Sequence, residues 1–266
     1  MSDALGIVEQ FVQGLRTGKY SPEDVDAFFQ NPRLWRKPVV PTVPFTPESA
    51  QKFWQGVWNE LWIEEVEVPP VPKLTDKQVK SLDKFGFLLV YVPAITEEQF
   101  PKGFVKPKWG QYLTEKDIER LPLTGQWVAV ETIAKPHYDD STGYADDVLM
   151  ASVKCEKRFN VSHDDLTGGL LGKIAKVTGF PKKGTRLPSA EEWNLIGNLF
   201  NWLREHRQLS LPDLGSTRSW EWCANACGSG GRLVAGDSDY GGLADVGCGW
   251  HGHRRDNVAF RVLAVL

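Results

Sequence analysis

Hydrophobic positions recur at helical spacing in some stretches of this chain, run unbroken in others, and lose all order in one. Ala4, Ile7, Val8, Phe11, Val12 and Leu15 keep helical spacing and stop before Gly18, which predicts a helix with a glycine end. Ser21 and Pro22 suit the cap and first position of a second helix, with Val25, Phe28 and Phe29 as its buried face. Pro38, Pro41, Pro44 and Pro47 then hold the chain extended. Phe53, Val57 and Leu61 alternate with Trp54, Trp58 and Trp62 as two i to i+4 ladders, read as core packing on a third helix. Pro69, Pro70 and Pro72 mark a seam between a helical N-terminal region, 1–73, and a domain of 74–266.

Thr75 to Gln78 is a capping box opening a short helix, and Phe85 to Ala94 follows as a strand buried on both faces. Gln126 to Ala134 predicts another strand, and Asp164 to Gly179 carries leucines at helical spacing. Phe260 to Leu266, apolar except for Arg261, predicts a last doubly buried strand, expected to pair with the first one. No βα alternation is present, so the expected class is α+β. Against the terminal strand lies Cys248 to Arg255, a run with no period that mixes a thiol, an indole, two imidazoles and two guanidiniums.

At 266 residues, 41% of them hydrophobic, the chain can bury a substantial core. A formal net charge of -3 argues against a nucleic-acid partner held by a global basic field. No signal-peptide pattern opens the chain and no run of about 18 apolar residues interrupts it, so the expectation is a cytoplasmic protein without membrane insertion. The four cysteines, Cys155, Cys223, Cys227 and Cys248, are then expected as thiols. No CxxC spacing points to a structural metal, and His251-x-His253 shows no third ligand. Gly228 to Arg232 lacks a P-loop lysine, Thr167 to Gly172 reads as helix packing, and the carboxylates of His137 to Asp147 lack EF-hand spacing. No cofactor and no metal are expected.

Ser189-Ala-Glu-Glu192 is a second capping box, opening the helix that follows Arg186-Leu-Pro. Taken with Trp220 to Asn225, Arg232 to Val246 and Asp256 to Leu266, this order of motifs resembles the C-type lectin fold in its formylglycine-generating-enzyme branch, over about residues 84 to 266. Ala259 stands where that branch has the glycine of its terminal GFR. The resemblance implies two function classes. Enzymes of the branch hold copper on a cysteine pair near the last strand, or iron on histidines. Here Cys223 and Cys227 lie too far upstream, Cys248 has no neighbouring partner, and no His-x3-His occurs. The expectation is therefore no enzyme, with a catalytically altered relative of formylglycine-generating enzymes or sulfoxide synthases as the alternative.

The chain also resembles the variable proteins of diversity-generating retroelements, whose lectin-fold face is rewritten at adenines while the final strand stays fixed. That resemblance implies a ligand-binding display protein with a variable segment of about 216–257. Its implied variable positions are Arg218, Trp220, Cys223, Asn225, Cys227, Asp237, Tyr240, Asp245, Cys248, Trp250, His251, His253, Arg254 and Arg255. Trp, Tyr and Arg among them are residue types that carry much of the energy at interfaces. The implied ligand is a protein surface.

Overall fold

The structure is a computed structural model that describes residues 46–61, 66–109, 115–140, 143, 144 and 147–266. The two helices expected before residue 30, and Trp62, lie outside the described residues. The described chain opens with helix α1 (Pro47–Leu61), α2 (Asp76–Phe85), strand β1 (Phe87–Val92), β2 (Lys108–Trp109) and β3 (Gln126–Glu131). Helices α3 (Val148–Val153), α4 (His163–Asp165) and α5 (Leu171–Thr178) follow, the last two joined by a π-helical turn at Leu166–Leu170. Strand β4 (Thr185–Arg186) and helix α6 (Ala190–Arg207) precede β5 (Trp220–Cys227), β6 (Gly231–Ala235), β7 (Asp245–Trp250), β8 (Val258–Phe260) and β9 (Leu263–Val265). The class is α+β: two sheets, ordered β1-β3-β9-β4 and β2-β7-β6-β5-β8, with helices around them.

Both capping boxes form. Gln78 N donates to Thr75 Oγ1 while Thr75 N donates to Gln78 Oε1, and α2 ends on Gly86 at φ 65°. Glu192 N donates to Ser189 Oγ and Ser189 N to Glu192 Oε2. The same Glu192 carboxylate also holds Arg186 through two bonds of 2.6 and 2.7 Å, so the helix start is tied to β4.

The tryptophan ladder on α1 is core, as its spacing suggested, but it has a second task. Trp54 Nε1 donates to Leu89 O at 2.7 Å and Trp58 Nε1 to Tyr91 O at 3.2 Å. The rise of one helical turn matches two residues of strand, so i and i+4 indoles reach alternate carbonyls of β1. Because β1 is the outer strand of its sheet, those carbonyls would otherwise face no ladder.

Two expectations about the terminal strand are corrected. First, β1 and β9 share a sheet but are not neighbours: β3 lies between them, paired antiparallel with both. Second, Phe260 to Leu266 is not one strand. Val258–Phe260 runs parallel to β5 in the second sheet, and Leu263–Val265 joins the first. The backbone changes sheets at Arg261 and Val262, and charge makes that corner possible. Val262 N, without a ladder partner, donates to Glu131 Oε2 at 2.7 Å, and Val262 O accepts from Glu131 N at 3.2 Å. Arg261, 1% exposed, spans the two sheets by binding Glu221 on β5 and the carbonyls of Glu131 and Ile133. The single charged residue in an apolar run was therefore the sign of the corner.

Candidate binding face

The face is built from the middle of the second sheet outward. β6 and β7 pair antiparallel from Ala235 opposite Val246 to Gly231 opposite Trp250, so the run that looked aperiodic enters as a regular strand. Its hidden period is carried by glycine. A Cβ on Gly247 would stand 3.2 Å from the Trp220 ring, and one on Gly249 would stand 2.8 Å from the Trp222 ring. The two indoles lie across the sheet on space that these glycines leave open, and Trp222 Nε1 donates to Val161 O. The opposite positions, Cys248 and Trp250, are exposed.

From His251 to Asn257 the chain leaves the ladder, and main-chain bonds hold it. His251 N donates to Gly230 O, His253 N to Trp250 O, Asn160 N to Arg255 O, Asp164 N to His251 O, and Trp220 N to Asn257 O. Side-chain bonds are added at the surface. His251 Nδ1 lies 2.7 Å from Asp164 Oδ2, and Arg254 meets both oxygens of Asp165 at 3.0 and 3.1 Å. Arg254, followed by the Ser162 hydroxyl, brings the Asp165 carboxyl down to about 2. Both pairs are exposed, and exposed ion pairs contribute little, about 0.2–1 kcal/mol each. At the other end of β7, in the connection from β6, Asp237 O accepts from Tyr240 N and Gly242 N, a turn that leaves Tyr240 73% exposed. Trp250 is 51% exposed, stacked on His251. Beside the loop a cavity of about 1290 Å3 opens next to Arg254 to Asn257, with Tyr138, Tyr144, Met150, Lys157 and Phe159 on its walls.

The fourteen positions divide by burial. Tyr240, Cys248, Trp250, His253, Arg254 and Arg255 are exposed, and Arg218, Trp220, Asp245 and His251 are half-buried. Cys223, Asn225, Cys227 and Asp237 are buried and cannot present a side chain. Cys223 and Asn225 sit where the register of β5 and β6 shifts between Trp222 and Ala226. That bulge turns Asn225 inward: its Oδ1 accepts from Ala190 N, and its Nδ2 donates to Glu119 O and Glu191 Oε2. It is the anchor of helix α6, and Cys223 beside it is a packed thiol whose pKa burial raises. Arg218 is held by Asp139 at 2.5 Å.

The cysteine reading is corrected as well. Cys227 and Cys248 form a disulfide, so Cys248 does have a partner, supplied by a strand two places away across β6. Their sequence separation of 21 hid the pairing. Cys155 and Cys223 are free.

Comparisons with protein-family models, curated proteins and solved structures find no match. Among the described residues no group of three or more His, Cys, Asp or Glu side chains could hold a metal ion. Nor, among them, is any helix long and apolar enough to cross a membrane.

What lies under the face is ionic, and the sequence reading did not foresee it. Arg158, buried, binds both oxygens of Glu131 at 2.7 and 2.8 Å and Asp147 at 2.5 Å. Lys135 donates to Ser219 O and Gly236 O, and burial brings its ammonium down to about 8. Asp245, at the start of β7, has a buried Oδ2 without a hydrogen-bond partner among the described residues, and its carboxyl is pushed up to about 6 by burial and then by Asp237. A carboxyl whose folded pKa is raised favours the fold most while protonated, so its contribution is lost as pH rises from about 4 through about 6. Asp245→Asn should therefore raise the melting temperature at pH 7.5 and flatten the pH 4–6 dependence relative to the parent. The gain should be no more than about 1 kcal/mol, since the half-buried side chain is screened by water. Thermal melts of both proteins across that pH range check this.

Proposed function

We propose that this chain is a ligand-binding display protein of the C-type lectin fold, formylglycine-generating-enzyme branch, whose C-terminal face is diversified by a retroelement and binds a protein surface. One observation carries the reading: the loop from His251 to Asn257 is held by main-chain hydrogen bonds, while the side chains of residues 253–256 are exposed and its side-chain bonds, His251 to Asp164 and Arg254 to Asp165, lie at the surface. A backbone whose course does not depend on its side chains can accept many of them.

The display set is narrower than the fourteen implied positions. Tyr240, His251, His253, Arg254 and Arg255 are the variable side chains, framed by the fixed Gly247 and Gly249. Trp250 belongs with the fixed residues: the retroelement resemblance implies template asparagine codons, AAC, rewritten at their adenines, and these keep their final C and never become the TGG of tryptophan. Exposed and rigid, Trp250 serves as a constant aromatic anchor beside variable neighbours.

Sequencing the 3′ end of the gene in many independent lineages tests the proposal. Codon changes should concentrate at those five positions, spare Gly247, Gly249, Trp250 and the buried ionic residues, and match a nearby template repeat at every base other than adenine. Changes spread evenly across buried and exposed codons would overturn it.

A further inference from the structure

We propose that the Cys227–Cys248 disulfide is a thiol–disulfide exchange site, a latch at the end of β7 that a dithiol opens by attack on Cys248. The two sulfurs differ sharply in access. Cys227 is 1% exposed and backed by the 117–119 segment, where Gly228 N donates to Asp117 O and Ile118 bridges Cys227. Cys248 is exposed on the opposite side of β6. An incoming thiolate therefore reaches one sulfur only.

The bridge passes directly over Gly231. A Cβ there would stand 2.6 Å from Cys248 Sγ, 2.8 Å from Cys227 Sγ and 2.3 Å from Cys227 O, so only glycine lets the bond close. The sheet does not need the bond to exist, since β6 and β7 already pair along five registered positions. What the bond adds is a tie between β5 and the last residues of β7, just before the loop from His251.

The exchange balances without a metal or cofactor. One thiolate of the dithiol attacks Cys248 Sγ, the sulfur–sulfur bond breaks, and its electron pair leaves on Cys227 Sγ, which takes a proton. The second thiol of the reductant then attacks its own sulfur in the mixed disulfide and releases Cys248 as a thiolate. Two electrons pass to the protein and the reductant becomes a cyclic disulfide. The product is a folded chain with an untied β7 end.

The full chain can be tested with no ligand. Glutathione is the probe for direction: a brief exposure should give a mixed disulfide on Cys248, with Cys227 as the free thiol, read by peptide mass. Dithiothreitol is the probe for consequence: under native conditions it should open the bond, keep a cooperative melt, and speed amide exchange across 248–257 by about tenfold or more while the α6 amides stay unchanged. The Cys227→Ser/Cys248→Ser double variant should exchange as the reduced protein does and ignore dithiothreitol. Glutathione found on Cys227, a bond that resists dithiothreitol until the protein unfolds, or reduction that leaves exchange at 248–257 unchanged would each overturn the latch.

Discussion

Arg261→Met is expected to cost about 3–5 kcal/mol, because it leaves a carboxylate buried without its guanidinium. Glu221 is fully buried and Arg261 meets both of its oxygens, at 3.1 and 2.9 Å. Burial alone would raise the Glu221 pKa, yet Arg261 and Lys135 outweigh it and hold the carboxyl below its usual range. Removing Arg261 also strips the carbonyls of Glu131 and Ile133 of their donor at the point where the chain changes sheets. The double variant Arg261→Met/Glu221→Leu should recover part of the loss, since the unpaired charge is gone. It should not recover all of it, because Trp193 Nε1 then loses the Glu221 oxygen it donates to at 2.7 Å. Chemical denaturation of the three proteins measures both differences. A single variant within about 0.5 kcal/mol of the parent, the scatter of surface substitutions, would contradict the corner's role.

Deleting Phe260 to Leu266 is expected to abolish the cooperative transition. The deletion takes β9 from between β3 and β4 and shortens β8 at its pairing with Trp222. Phe260, Val262, Leu263 and Ala264 are all fully buried. Burial of each large apolar side chain stabilises by about 1.5–3 kcal/mol, so the loss rivals the roughly 5–15 kcal/mol total of a typical domain. Loss of the near-ultraviolet dichroism of the packed indoles, with no sigmoidal melt, is the expected readout. A truncated chain that still melts cooperatively would place the core elsewhere.

How much of this was legible in the sequence depended on whether the signal was local. Both capping boxes and the tryptophan ladder could be read because their determinants lie within four residues of one another, and the buried β1 and the α+β class because a continuous apolar run and the order of elements reveal them. The sheet change at Arg261 could not, because it is decided by Glu131 and Glu221, which are 130 and 40 residues away. Disulfide pairing across β6 failed for the same reason, since nothing near Cys248 names Cys227. Two signals were present and misweighted. The alternation Gly247-x-Gly249 was a strand with room left for indoles, and Asn225 in a strand pattern was a bulge with an inward amide. Of the implied variable positions, the exposed ones are Tyr240 before β7, Cys248 and Trp250 on it and His253, Arg254 and Arg255 after it, while the buried ones were drawn in by a motif that records sequence order and not side-chain direction.

The central claim is that the exposed side chains of this face are independent of the fold beneath them. Replacing Tyr240, His251, His253, Arg254 and Arg255 together with serine, and comparing urea unfolding with that of the parent, tests it most directly. Two exposed ion pairs and three surface substitutions should sum to no more than about 3.5 kcal/mol, with an unchanged denaturant slope. A loss of about 4 kcal/mol or more, or a changed slope, would show that these side chains hold the fold and could not have been rewritten while the protein kept its shape.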